Sequence, residues 1–339
     1  MDQITNLQTD NRVISIRSAD RLPRSIVFDR GFKIIGTPLA FRGSRNPGLL
    51  FFSDLNMKVP AGTKRLIGTN TVVGSLGSRM QRMDAIAVSY DRSFKLGKMD
   101  LRLLPSGMGP GASLLEITYN NRRIIYSSGL RTTTPLMGES IPEIKCEILL
   151  IDFEMPETKP PAPRTIKPRL IEWYNTNVSK VSNISPVVLC DSAPALFDAF
   201  AVFSEIPDAL FAHSSSYNIL RHTSMQTNHS HRIKRLSREW PKSGVVFGTS
   251  QWFYRSAHHK NEAILRCYCG PDVRIPIDTS AFRLGEPEHV GGLVQFAKKC
   301  GARTVALSPS AGDVCAAAFR KAGFDVYFSR IPKQLKLPL

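Results

Sequence analysis

Short apolar runs of four to seven residues, bounded by Gly, Pro, Asn or Ser, dominate the first half of the chain. RSIVFDRGFKIIG, GLLFFSD, AIAVSY, MDLRLLP, SLLEITY, RRIIYSS and EILLIDF are rich in β-branched residues and predict strands. YNNRR, between SLLEIT and IIYSS, predicts a hairpin because Asn-Asn tolerates positive φ. This half is expected to be sheet-rich and antiparallel. MPETKPPAPRTIKPRL comes next, with Pro156, Pro160, Pro161, Pro163 and Pro168. Proline at that density opposes a regular helix or a central strand, so the stretch reads as a crossover. The pattern then changes. Residues 165–180 and APALFDAFAVF predict helices, PVVLCD and ALFAHS strands, and YNILRHTSM a short helix. GGLVQFAKKCG, RTVALSPS, AAAFRKAG and DVYFSR continue as helix, strand, helix and strand, with Gly301 and Gly323 as helix stops. Such alternation predicts an α/β protein.

Composition narrows the class. With 339 residues and 42% hydrophobic content the chain can bury a core, which excludes a disordered chain. The length accommodates about two domain-sized units. No run of about 18 apolar residues occurs, so no transmembrane helix and no membrane partner is expected. The start, MDQITNLQTDNRV, lacks an apolar signal core, so the expected location is the cytoplasm or nucleoid. Six cysteines do not make a disulfide framework.

Charge changes the picture most. Forty-five Lys and Arg against 28 Asp and Glu give +17, which points to a polyanionic partner, with nucleic acid first among them. One cluster concentrates it: Arg221, Arg232, Lys234, Arg235, Arg238 and Lys242, opposed by Glu239. Trp240, Trp252, Phe253 and Tyr254 lie close by in sequence. Cations interleaved with aromatics suit a groove that tracks a backbone and stacks bases, and equally a solvated helix face beside a loop.

Other chemistry is thin. The seven histidines are His213, His222, His229, His231, His258, His259 and His289, so residues 1–212 hold none. His229 and His231 would share one side of an extended strand, but neighbouring cations and missing carboxylates oppose a metal there. Cys267 and Cys269 have no second pair at zinc-finger spacing and read as small buried residues. GMGPGAS at 107–113 lacks the Gly-Lys-Ser/Thr ending of a phosphate loop, and no G-x-S-x-G elbow occurs.

Four stretches resemble the metallo-β-lactamase superfamily with an inserted β-CASP domain, nearest to its ligase-associated DNA exonucleases and mRNA 3′-end-processing exonucleases. GLLFFSDLNMK with LIGTNTVVGSL resembles the strand carrying the first metal motif and the Thr-bearing strand and helix after it. LRLLPSGMGPGASLLEI with RRIIYSSGL resembles the segment reading Pro-Ala-Gly-His and then Tyr-Thr-Gly-Asp in the family. ILLIDFEMP through PVVLCDSAPALFDAF and ALFAHSSSYNIL resembles the entry into the insert, and RIPIDTSAF through AAAFRKAGFDVYF resembles the return. The resemblance implies an αββα sandwich over residues 1–156 and 279–339, with an α/β β-CASP-like insert over 157–278.

The departures decide what the resemblance implies for function. The family binds two zinc ions through a His-x-His-x-Asp-His cluster, three further histidines and a bridging Asp. Those positions fall here on Ser53, Leu55, Met57, Lys58, Met108, Leu130, Ser280 and Pro309. Zinc needs imidazole, carboxylate or thiolate. The expectation is therefore a catalytically inactive, nuclease-like protein with no metal and no cofactor. It would bind nucleic acid in a basic interdomain cleft, within a DNA- or RNA-processing complex. Candidate contacts are Arg221, Arg232, Lys234, Arg235, Arg238, Lys242, Trp252, Tyr254 and His213, the last where the family's insert often has a histidine. A scaffold paired with an active nuclease and a divergent active exonuclease are the alternatives.

Overall fold

The computed structural model describes residues 26–28, 31–43, 47–77, 83–156, 158–177, 185–224, 233–255, 263–269 and 280–328. β1 (Ile26–Phe28), β2 (Phe32–Ile34) and β3 (Leu39–Ala40) pair antiparallel in sequence. Pairing then turns parallel, through β4 (Leu49–Phe51), β5 (Arg65–Thr69) and β6 (Asp84–Val88). The antiparallel expectation fails for this part of the first sheet. Its physical cause is clearest between β5 and β6, where α1 (Asn70–Gly74) returns the chain as a parallel crossover requires.

The second sheet opens as expected, with an antiparallel meander. Its strands are β7 (Ser93–Leu96), β8 (Met99–Pro105), β9 (Ser113–Tyr119) and β10 (Arg122–Ser127), and β11 (Ile148–Ile151) joins β10 parallel. Asn120 and Asn121 turn the β9–β10 hairpin at φ 49° and 59°. Asn121→Ala should cost about 1 kcal/mol, because a Cβ-bearing residue without a local side-chain bond resists that region. A lower denaturant midpoint at unchanged slope would register it, and Asn121→Gly should show no such loss.

Both faces of the second sheet are buried, and alternate residues sort between them. Leu101, Leu103, Ile124, Tyr126 and Leu150 meet Phe32, Phe41, Phe51 and Ile67 of the first sheet. The first sheet's other face, through Leu50, Phe52 and Leu66, carries Val72 and Val73 of α1.

The third sheet is built from strands between Val187 and Arg283. α2 (Pro163–Asn177) precedes it, starting in the proline-rich stretch and running through Pro168. The helix expected over residues 165–180 is found there, starting two residues earlier, inside the stretch read as a crossover. Pro163 sits where a helix has no N–H to satisfy, and Pro168 forfeits one bond. Ile166, Leu170, Trp173 and Tyr174 bury one side of the helix and hold it. The sheet and its helices then run β12 (Val187–Cys190), α3 (Ala193–Phe203), β13 (Leu210–Ala212), α4 (Ser214–Ser224), β14 (Ile233–Arg235), β15 (Val245–Gly248), α5 (Ser250–Arg255), β16 (Ile264–Tyr268) and β17 (Ser280–Arg283). All pairs are parallel, in the order β14-β13-β15-β12-β16-β17. Val188 and Cys190 face α2 and α3, while Val187 and Leu189 face α5. Because β17 pairs with β16, the chain returns to the second sheet after Arg283 and not at residue 279.

The return is α6 (Val290–Cys300), β18 (Thr304–Leu307), a 3-10 turn at Pro309–Ala311, α7 (Gly312–Lys321) and β19 (Asp325–Phe328). Gly301 caps α6 in the left-handed region at φ 70°. β18 lies against β11 and β19 against β18, both parallel. Leu293, Phe296, Ala297, Cys315 and Phe319 of α6 and α7 cover the remaining face of the second sheet. The chain is thus α/β: helix, sheet, sheet and helices in layers, with a helix-covered parallel sheet inserted between β11 and β18. No helix among the described residues is long and apolar enough to cross a membrane.

Candidate functional site

Parallel strands leave their carboxyl ends open, and there α/β sheets place ligands. The ends of β4, β10, β11 and β18, together with Pro194, Cys269 and Gly285, surround a cleft of about 900 Å3. Met57 and Met108 line it. Ser53 is buried at its wall, and its hydroxyl donates to Asp54 Oδ2 at 2.8 Å while meeting the Ser128 hydroxyl. Ser128 Oγ donates to the same Asp54 oxygen at 3.1 Å, and the Asn56 N–H reaches Oδ1 at 2.8 Å. One carboxylate and two hydroxyls thus close on one another where β4 meets β10.

The other mapped positions scatter. Leu55 packs into apolar clusters on both sides. Lys58 is exposed. Leu130 is fully buried against α6 and α7, and its carbonyl accepts from Glu288 N at 2.7 Å. Pro309 opens the turn whose Ser310 and Ala311 line the cleft. Ser280 starts β17 opposite Leu265 and does not line it. Among the described residues, no three His, Cys, Asp or Glu gather as a metal site. The donors at the mapped positions, hydroxyls and thioethers beside the hydrogen-bonded carboxylate of Asp54, do not fit a zinc pair.

The described lining of the cleft is not basic, against the expectation. Among the described residues lining it, Asp54, Glu154, Glu286 and Asp313 stand against Arg42 alone. Behind it, Asp152 is buried and accepts from Tyr126 Oη at 2.9 Å. Burial pushes its carboxyl up, with Ser308, Tyr126 and Arg42 pulling part of the way back. A raised folded value favours the protonated form. Whatever stability this adds is complete below the unfolded pKa and lost as pH rises through the folded one. Asp152→Asn should therefore gain stability over the native chain as pH rises above the ordinary carboxylate range, read as a widening difference in denaturant midpoint.

A buried ion pair joins the sandwich to the insert. Arg131 Nη1 and Nη2 donate to Asp198 of α3 at 2.6 and 3.2 Å, and Nε donates to Gly107 O at 2.9 Å. Their side chains are 4% and 1% exposed. Asn56 Oδ1 accepts from Ala193 N, at the start of α3, at 2.9 Å.

The basic cluster lies elsewhere, on the insert. Lys234 and Arg235 are exposed on β14, the edge strand, and Arg238 and Lys242 are exposed on the connection to β15. Arg235 Nη2 donates to Ser214 Oγ at 3.1 Å. His213, just after β13, stacks on Trp252 with ring centroids 4.7 Å apart and 16° between planes. Trp240 lies near-parallel to Trp252, at 6.2 Å and 14°. Burial lowers the His213 pKa, and the Arg235 charge adds to it. Arg221 is in the last turn of α4. Tyr254 is exposed and meets Phe253 edge-on, outside the stack. Arg232, His229, His231, His258 and His259 lie outside the described residues. His222 packs at Gly74 of α1, and His289 pairs with Glu288 at the start of α6.

Gly248 ends β15 beneath Trp252, where an added Cβ would come 2.2 Å from Cε3 of the indole. Gly248→Ala should displace the ring at a cost of about 1–3 kcal/mol. A shift in tryptophan emission together with a lower denaturant midpoint would register this.

No family model and no curated protein sequence matches the chain. A crystal structure of a protein of unknown function from Enterococcus faecalis V583 is similar at a TM-score of 0.50. The likeness covers 76% of this chain and 74% of that one, at 12% identity, and speaks for the fold alone.

Sequence reasoning missed Asp54, Ser128, Arg131 and Asp198. Asp198 had left a signal, as the only charge in APALFDAFAVF. The glycine-rich 107–113 loop packs on α1. The Gly111 carbonyl accepts from Thr69 Oγ1 at 2.7 Å, and a Cβ there would come 2.6 Å from that of Thr71. Cys267 is buried as expected. Cys269, expected to be buried, is exposed and lines the cleft.

Proposed function

We propose that this chain is a nuclease-like protein of metallo-β-lactamase/β-CASP architecture that binds nucleic acid without cleaving it, along the basic edge of its insert. The observation that carries the binding is the placement of Lys234, Arg235, Arg238 and Lys242, exposed on one edge strand and the connection after it, beside stacked rings. Each phosphate neutralised there releases a counterion. The acid-lined cleft offers a polyanion no such gain.

Two features support the architecture. The layers run helix, sheet, sheet, helix, and the parallel sheet is inserted between β11 and β18, which are neighbours in the second sheet. The absence of cleavage rests on the donor set. Ser53, Asp54 and Ser128 satisfy one another at the first ligand position, and Met57 and Met108 present thioethers. Among the described residues no three imidazole, carboxylate or thiol side chains gather to hold the zinc that would ionise a water.

Two measurements on the full chain test this. Metal analysis after incubation with zinc should find less than stoichiometric retention, and two equivalents would overturn the inactive reading. Titration with single- and double-stranded DNA and RNA should show binding that weakens steeply with salt. Absence of binding at low salt would overturn the nucleic-acid reading.

A further inference from the structure

The described aromatic contacts in the core of the insert are edge-on. Trp173–Phe203, Tyr174–Phe203, Phe200–Phe247 and Phe203–Phe247 meet at 90°, 69°, 65° and 75°. That is the packing a core prefers when ring edges meet ring faces. His213, Trp252 and Trp240 depart from it, with successive planes only 16° and 14° apart. The three rings come from three places: the end of β13, α5, and the connection between β14 and β15. All three are half-buried, unlike the core rings of Phe200, Phe203 and Phe247. Gly248 makes the arrangement possible, because any side chain at that strand end would collide with the Trp252 indole.

Charge borders this ladder on one side. β14 is hydrogen-bonded to β13 with Arg235 opposite Ala212, so the Arg235 guanidinium lies beside the residue that carries the imidazole. Its bond to Ser214 Oγ at 3.1 Å holds it there. Lys234 is next to it in the strand, and Arg238 and Lys242 flank Trp240 in the connection. Parallel π faces with cations alongside are what an unpaired strand needs: a surface for bases and a charged margin for phosphates. A duplex keeps its bases stacked on one another and can use the margin only.

We infer that the His213–Trp252–Trp240 stack is a base-stacking platform, so that the nucleic acid bound at this edge is single-stranded. This rests on the nucleic-acid reading above and adds the form of the ligand. The platform accepts any base, because every base has a π face, and discriminates by strandedness instead of by sequence.

The test uses the full chain with short fluorescein-labelled oligo(dT) and oligo(U), and a blunt duplex of the same length, in one buffer. Single strands should bind about tenfold more tightly than the duplex, the scale of one stacked base. They should also quench tryptophan emission, which the duplex should not. Trp240→Ala should lower single-strand affinity by a similar factor, leave duplex affinity and the salt slope unchanged, and be rescued by Trp240→Phe. Trp240 is the residue to change because it lies in a connection and Trp252 in a helix, though both pack on the Val187, Leu189 and Phe253 cluster. Comparing wild-type affinities and quenching needs no variant, so a folding failure in Trp240→Ala leaves the inference exposed to refutation. Equal affinity for single strand and duplex, or equal loss of both in Trp240→Ala, would overturn the platform while leaving nucleic-acid binding in place. Binding to neither form would remove both.

Discussion

Arg131→Met is expected to destabilise the chain by about 3–5 kcal/mol, the largest single-residue effect the structure supports. The change leaves Asp198, 1% exposed, as an uncompensated charge within a helix that is otherwise apolar. It also strips the Gly107 carbonyl of the Nε–H that it accepts at 2.9 Å. Arg131 belongs to the segment after β10 and Asp198 to α3, so the loss falls on the contact between sandwich and insert. Arg131→Met combined with Asp198→Leu should recover most of it, because two apolar groups of similar bulk need no solvation. Chemical denaturation followed by tryptophan emission reports the insert, where all three tryptophans lie, and far-ultraviolet dichroism reports both parts. In the single variant the two curves should separate, since a weakened contact lets each part unfold at its own midpoint. A double variant no more stable than the single one would show that burial of the unpaired charge is not what the substitution costs.

The elements readable in the sequence were those whose signal is local. α3 has Ser192 as a cap, accepting from Ala195 N at 3.3 Å, and Pro194 in its first turn. α6 ends on Gly301, and the Asn120-Asn121 hairpin carries its own turn chemistry. Local signals do not set strand direction. β3 has two residues and so no period at all, and whether it pairs parallel or antiparallel depends on where the next connection goes. The helix expected over 165–180 forms as α2, but its start at Pro163 lies where the prolines argued against one, and the burial of Trp173, Tyr174 and Leu170 that outweighs the Pro168 penalty comes from the folded chain alone.

The candidate site divides along the same line. The basic cluster was legible because its cations are neighbours in sequence. Its relation to His213 was not, since β13 and β14 are brought together only by the sheet. The cleft was the harder case. Ser53 and Ser128 are 75 positions apart, and Asp54 drew no attention beside the missing histidines. Net charge misled as well. A chain of +17 does not carry that excess evenly, and the described lining of the cleft between Asp54 and Glu154 is acidic.

That separation of charge gives the second large expected effect. Changing Lys234, Arg235, Arg238 and Lys242 together to Gln should flatten the slope of log affinity against log salt by about 3, at about 0.7 per phosphate contact on a single strand. All four are exposed, so the fold should be spared, and surface substitutions of this kind alter stability by about 0.5 kcal/mol or less. Affinity should fall alike for every sequence, because phosphates position a strand without reading it. Glu154→Gln, in the wall of the cleft, separates binding at the edge from binding between the domains. A strand lying along β14 does not pass this carboxylate, and its removal should leave slope and affinity unchanged. A strand lying in the cleft is repelled by it, and binding should then tighten. The quadruple change flattening the slope while Glu154→Gln does nothing places the ligand at the edge of the insert; the reverse pattern would return it to the cleft.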